Sequence, residues 1–485
     1  MAISFNAASL LNGNGIDIKS VVNAILSQQT APLTDLQNRQ TDLSTEAGLL
    51  AGLNNNLTTL AATALSLADP HGPLASQTAT SSDEGLLTAT AQTSALSGTH
   101  QIVVSSLATT GTLYTDSLAD ANTSFLPGGA TTGNIQLRVG GPGGVTHDIA
   151  ITAGVNDTIS TLASYINNQN WGVTASVVTD AGGARLALYS QSTGTPGALS
   201  IAGNNTSLVF NPPVGGTNAS LTVDGVPISS ASNTVSGVIA GVTLNLTGAD
   251  PNTPVQLTVG PDAAAATDAI NKFVDAYNSV INVINTQFTV NPATNSEGPL
   301  GSDSTLRTLQ SRLLNDVTYS ISGNSGLVNL ASLGIDLNND GTLSVNQVQT
   351  DTHPALSNVL AQNPAAVQNF FENASGTGFA NAFNNDLFSL TDVTDGLVNV
   401  DIAGNKTQQQ ELATQITNLQ DRLSAQQQQL TSLYARVNAT LESYPSLLFT
   451  VTSIIGALNG NFNVAAPSTN TAPAAATTTT QNSNS

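Results

Sequence analysis

Few residues in this 485-residue chain have the types and spacing that chemistry needs. Asp336, Asn338, Asp340, Gly341, Thr342 and Ser344 follow the opening of a calcium-binding loop, with glycine at the sixth position. The twelfth position is Gln347, where a bidentate glutamate is needed, and no amphipathic helix leads in. Asn338–Asn339–Asp340–Gly341 therefore reads as a hairpin turn between 333–337 and 342–345. The histidines, His71, His100, His147 and His353, are not at metal-ligand spacing. His147 precedes Asp148, but strand alternation sends neighbours to opposite faces, so they cannot easily act as an acid–base pair. His71, between Pro70 and Gly72, reads as part of a turn. Gly140, Gly141, Gly143 and Gly144 resemble a phosphate loop in composition only, because no lysine follows and no helix begins there. The chain has no cysteine, which excludes disulfides and thiolate metal sites. No Ser, His and Asp set has recognisable context. No catalytic residue, cofactor or metal is expected, and the chain reads as a non-enzyme.

Composition narrows the partners. Charged residues make up 8% of the chain, against roughly 25% in ordinary soluble domains. Ten Lys and Arg stand against 31 Asp and Glu, a net charge of −21. Without a basic stripe, binding to a nucleic-acid backbone is excluded, and an anionic membrane would repel the chain. The surface must be covered by Asn, Gln, Ser, Thr and Gly. No apolar run reaches the ~20 residues of a membrane span. The best, Leu447–Leu458, is broken by Thr450, Thr452, Ser453 and Gly456, so no membrane insertion is expected. The first lysine is Lys19, so the start lacks the basic region of a secretory signal peptide.

The length suggests roughly two to four domains. Residues 1–15 and 463–485 read as disordered ends, rich in small polar residues. Over 16–72 the pattern is helical: Leu36, Leu43, Leu50 and Leu57 recur at the coiled-coil interval, and a straight helix from Leu36 to Leu67 would span ~48 Å. Asp69–Pro70 and Gly72–Pro73 stop it. Residues 73–260 turn to short period-two runs with one helix at Ile159, Leu162 and Ile166. They read as one or two small β-rich domains that could divide near 109–130 or 208–216. Helix returns over 261–462. Ile270, Phe273, Tyr277, Val280 and Ile284 form an aromatic stripe, Ser302 or Ser304 can cap a second helix, and Asn363–Pro364 opens a third. The clearest periodicity is Leu412, Ile416, Leu419, Leu423, Gln426, Leu430, Leu433 and Val437 in a helix over 408–442, with Gln426 in the core register and Pro445 breaking the coil beyond. Neither terminal helix can bury its stripe alone. The expected fold is α+β: a long antiparallel coiled-coil or bundle leg built from both chain ends, with small β-rich head domains inserted.

In order and combination, several segments resemble the bacterial flagellar hook-associated protein 2 family, the filament cap proteins. They are Asn14–Gly15–Ile16–Asp17, ASLTVDGVPISSASNTVSGVIAGVTLNLTG from Ala219, INKFVDAYNSVINVI from Ile270, GPLGSDSTLRTLQSRLLNDV from Gly298, NLASLGIDLNNDGTLSVN from Asn329 and NPAAVQNFF from Asn363. The stretch from Asp157 to Gly194 also looks like a module shared by flagellin-type proteins. The carboxy-terminal run from Leu441 departs from the family in lacking methionine.

The resemblance implies a non-enzymatic ring of about five copies at the distal filament end. Its helical legs would contact the filament end and its heads would shelter flagellin while it folds and inserts. It also implies export through the flagellar type III apparatus, a cytoplasmic chaperone beforehand, and an extracellular location at the flagellum tip. Two alternatives share the layout. One is a flagellin-like or junction axial subunit, distinguished by open polymerisation. The other is a secreted adhesin binding glycan or mucin through residues 75–260.

Overall fold

A computed structural model describes residues 18–373 and 375–459. The two segments read as disordered, 1–15 and 463–485, and the Asn14–Asp17 motif lie outside the described residues. Two compact units form: residues 52–399, and residues 18–51 with 400–459 from either side of them in sequence. The fold is α+β.

Helix α1 (Ile18–Ser27) buries Val22 and Leu26, and a short turn separates it from helix α2 (Ala31–Leu67). The Asp69–Pro73 run ends the helical course: the His71 N–H donates to Asp69 Oδ1 at 2.9 Å, and a Cβ on Gly72 would meet the Ser66 carbonyl oxygen. Strands β1 (Gln77–Ser81), β2 (Leu87–Ala91) and β3 (Gly98–Ser106) then begin a sandwich. The chain leaves it to build a second one from β4 (Thr110–Tyr114), β5 (Thr132–Val139), β6 (Val145–Thr152), helix α3 (Ile159–Asn167), β7 (Val173–Asp180), β8 (Gly183–Thr193) and β9 (Leu199–Asn204). It returns for β10 (Ala219–Val223), β11 (Val226–Ser230), β12 (Thr234–Ile239), β13 (Val242–Leu246) and β14 (Val255–Pro261).

Each sandwich has its own core. In the first, the antiparallel sheet β1-β14-β3-β10-β11 packs on β12-β13-β2. Alternation sends Val242, Leu244 and Leu246 inward beside Val255, Leu257 and Val259. In the second, β4-β8-β7 and β6-β5-β9 enclose Ile135, Leu137, Ile149, Leu186 and Leu188 with Leu162 and Ile166 of α3. A capping box starts α3: Thr158 and Thr161 each accept the other's backbone N–H at 3.2 Å. The second sandwich is nested in the first, because β3 and β10, the strands flanking it, pair directly with Leu221 opposite Val104. The crossing point is clasped without charge. Thr109 and Thr217 join through their hydroxyls at 2.8 Å, and Asn233 grips both the N–H and the carbonyl of Ala108.

Three of the helices after the sandwiches share an aromatic core. Helix α4 (Ala263–Phe288) is capped by Asp262 and buries Ile270, Phe273, Tyr277, Val280 and Ile284, the stripe the sequence predicts. Helix α5 (Ser304–Val317) is capped by Asp303, whose carboxylate accepts the Thr305 N–H at 2.7 Å, and not by Ser302 or Ser304. Asp303 takes the extended backbone a cap requires, while Ser304 is already helical. The hairpin β15 (Ile335–Leu337) and β16 (Leu343–Val345) follows. The Asn278 side chain of α4 holds the Leu343 carbonyl and N–H, at 2.8 and 2.7 Å. Helices α6 (Leu356–Gln362), α7 (Pro364–Phe371) and α8 (Phe379–Thr391) complete the layer. Pro364 sits at the first helical turn of α7, but Asn363 makes no side-chain cap bond. Phe273, Phe370, Phe371, Phe379 and Phe383 interlock at centroid distances of 5.1–5.8 Å. Residues 261–399 fall in the same compact unit as the sandwiches, whereas the sequence pattern groups 261–462 with the terminal helices.

The last helix, α9 (Leu397–Asn459), has 63 residues. It is longer than the expected 408–442 and runs through Pro445. A proline removes one hydrogen bond and strains one turn, which a helix of this length absorbs without ending.

Candidate functional site

Some of the sequence-predicted residues meet in the unit of residues 18–51 and 400–459. Leu43 of α2 is buried against Leu412 and Ile416 of α9, with Leu33 and Leu36 packed alongside. Two polar rungs lie beside this seam. Asn405 Nδ2 donates to Glu46 Oε2 at 3.3 Å. Gln409 Nε2 donates to the Leu43 carbonyl at 3.1 Å and to Asn405 Oδ1. Residue numbers fall along α2 as they rise along α9, so the pair is antiparallel. Leu50 and Leu419 of this unit are buried as well, and so is Leu57 within residues 52–399.

The seam does not extend as far as the periodicity. Leu423, Gln426 and Leu430 are half-buried, while Leu433 and Val437 are 48% and 39% exposed in the single chain. Equal rise along two antiparallel helices puts Ala31, the start of α2, opposite roughly residue 424 of α9, so the later leucines outrun that partner. Asn405 and Gln409 were missed by sequence reasoning. The four-three spacing of Leu412, Ile416 and Leu419, extended one heptad back, lands on both of them.

The rejected chemistry is also accounted for. His147 stacks on Trp171 at 4.5 Å, while Asp148 accepts a hydrogen bond from Gln136, so the neighbours serve different partners. The calcium-like loop is a hairpin turn with Gly341 at φ +83°. Asp340 accepts from both the hydroxyl and the N–H of Thr342, which hold its carboxyl below the usual range. Asp336 turns instead to Asn346 and to His353 Nδ1 at 2.9 Å. Gly140–Gly144 is the β5–β6 turn, where a Cβ on Gly144 would collide with the Gly140 carbonyl. Among the described residues, no group of three His, Asp or Glu side chains is placed to hold a metal, and no helix is long and apolar enough to cross a membrane.

Comparison with known proteins matches this layout. The family model for the flagellar hook-associated protein 2 N-terminus covers residues 14–111, and that for its C-terminus covers 216–446. The gap between them coincides with the nested sandwich, where a flagellin hook IN motif matches 134–192. The chain is 31% identical over 431 residues to the B-type flagellar hook-associated protein 2 of Pseudomonas aeruginosa, covering 79% of this chain and 86% of that one. It is 30% identical over 364 residues to the flagellar hook-associated protein 2 of Escherichia coli, covering 70% and 75%. The crystal structure of the D1-D2-D3 domains of the Escherichia coli flagellar cap protein FliD matches with a TM-score of 0.57 at 28% identity, covering 74% of this chain and 99% of that one. The chain belongs to the flagellar hook-associated protein 2 family.

Proposed function

We propose that this chain is a non-enzymatic cap at the distal end of a bacterial flagellar filament. Copies of it assemble into a small ring, and the terminal helices contact the filament end while exported flagellin folds and is inserted. The observation that carries the reading is the seam of Leu43, Leu412 and Ile416, which unites both chain ends in a single helical unit, in a member of this family. A low-charge helical surface suits contacts that must break and reform at each insertion, because few desolvated ion pairs have to rupture. Type III export, a cytoplasmic chaperone that holds the carboxy-terminal helix first, and an extracellular site at the filament tip belong to the same reading. The axial-subunit and adhesin alternatives are less favoured, since the relatives bear the hook-associated or cap name.

Deletion of residues 408–442 tests it. The expected result is secreted, unassembled flagellin and no filament growth, with the strand signal of the sandwiches retained in circular dichroism. Normal filaments from cells carrying only the deleted chain would count against the reading.

A further inference from the structure

The helical layer of residues 52–399 contains an acidic pair that capping does not use. Asp316, in the last turn of α5, sits about one helical turn beyond Arg312, which reaches across to Asp386 on α8. Asp386 Oδ1 faces Arg312 Nη1 at 3.3 Å, and the same nitrogen reaches Ser389 Oγ at 3.2 Å. The Oδ2 atoms of both aspartates are closed off from solvent and have no donor. The Tyr277 hydroxyl on α4 is buried and unpartnered too. Two ionised carboxylates here would repel each other in a poorly hydrated setting with one guanidinium between them, and one proton would supply a missing donor and remove the repulsion.

We propose that Asp316 and Asp386 share a single proton between their buried carboxyls, and that this proton fastens α5 to α8. The ionisable groups facing Asp316 are Arg312 from its own helix, Asp386 from α8 and Tyr277 from α4. The β15–β16 hairpin also packs on α5, through Gly341 and Leu314, but its Asp340 is engaged with Thr342. Burial, then the neighbouring Asp386, push the Asp316 carboxyl up to about 7, with Arg312 opposing. Burial and the Asp316 charge raise the Tyr277 phenol, so it stays neutral. Folded Asp316 holds its proton more tightly than an unfolded aspartate. Its stabilisation is therefore fully present below about pH 4 and is lost as the pH rises through about 7. The inference is independent of the capping role.

Thermal unfolding of the full chain between about pH 5 and about pH 8.5 tests the proposal. The unfolding constant should rise about tenfold or more across that window, short of the full effect because the pair is partly hydrated. Asp316→Asn keeps a donor without the charge, so it should remove this dependence. A wild-type slope in Asp316→Asn would overturn the proposal. If that variant fails to fold, carbon-13 carboxyl titration of the wild-type chain decides: one aspartate titrating near neutrality supports the shared proton, and all aspartates titrating in the ordinary acid range refutes it.

Discussion

Side-chain amides do much of the joining that ion pairs do elsewhere. Asn278 to Leu343, Asn167 to Ala175 and Asn233 to Ala108 follow one pattern: Nδ2 donates to a carbonyl, and Oδ1 accepts the N–H of the same residue. The amide takes the place of a neighbouring strand and satisfies two backbone groups at once. Asn278→Ala leaves both Leu343 groups unpaired and should cost about 1–3 kcal/mol. Asn278→Asp should lose most of the same amount, because a carboxylate cannot donate to the Leu343 carbonyl. Faster hydrogen exchange at the Leu343 amide in Asn278→Ala, and a lowered unfolding midpoint in both variants, are the measurements, and wild-type values in both would show that the clamp contributes nothing.

Among the elements, the pairing of α2 with α9 is where packing and periodicity can be separated. Leu43→Ala removes a buried side chain from the seam and should cost about 2–3 kcal/mol, seen as a lower midpoint for loss of helical ellipticity. Leu433→Ala, in the same repeat but exposed, should stay within about 0.5 kcal/mol. Equal effects would mean that α9 is buried along its whole length. The contrast also indicates what could be read in advance. The heptad leucines, the aromatic stripe of α4 and the strand at Ala219–Val223 were legible, because local periodicity reports which face is apolar. How far the seam runs was not, since that depends on where the partner helix begins. Asp303 was overlooked as a cap between two serines that are equally good by type. The Asp316–Asp386 pair is brought together only by the packing of α5 on α8, and no spacing rule connects residues so far apart in sequence.

For the molecule as a whole, nesting makes one sandwich removable. Thr109 and Thr217 pair through both backbone and side chain at the crossing point. Replacing residues 110–216 by Asn-Gly should close β3 and β10 with a two-residue hairpin turn and leave the first sandwich intact. Retained β-sheet circular dichroism and a cooperative thermal transition in the shortened chain are the expected outcome. A molten chain would mean that the first sandwich depends on its insert.

The neutral clasps also bear on where such a protein can work. Attraction between full charges fades as dissolved ions accumulate, with a reach of about 10 Å at 0.1 M falling to about 3 Å at 1 M. Amide and hydroxyl bonds carry no net charge to be screened. Joints such as Asn233 on Ala108 and Thr109 on Thr217 would therefore hold with similar strength in fresh water, in tissue fluid and in brine.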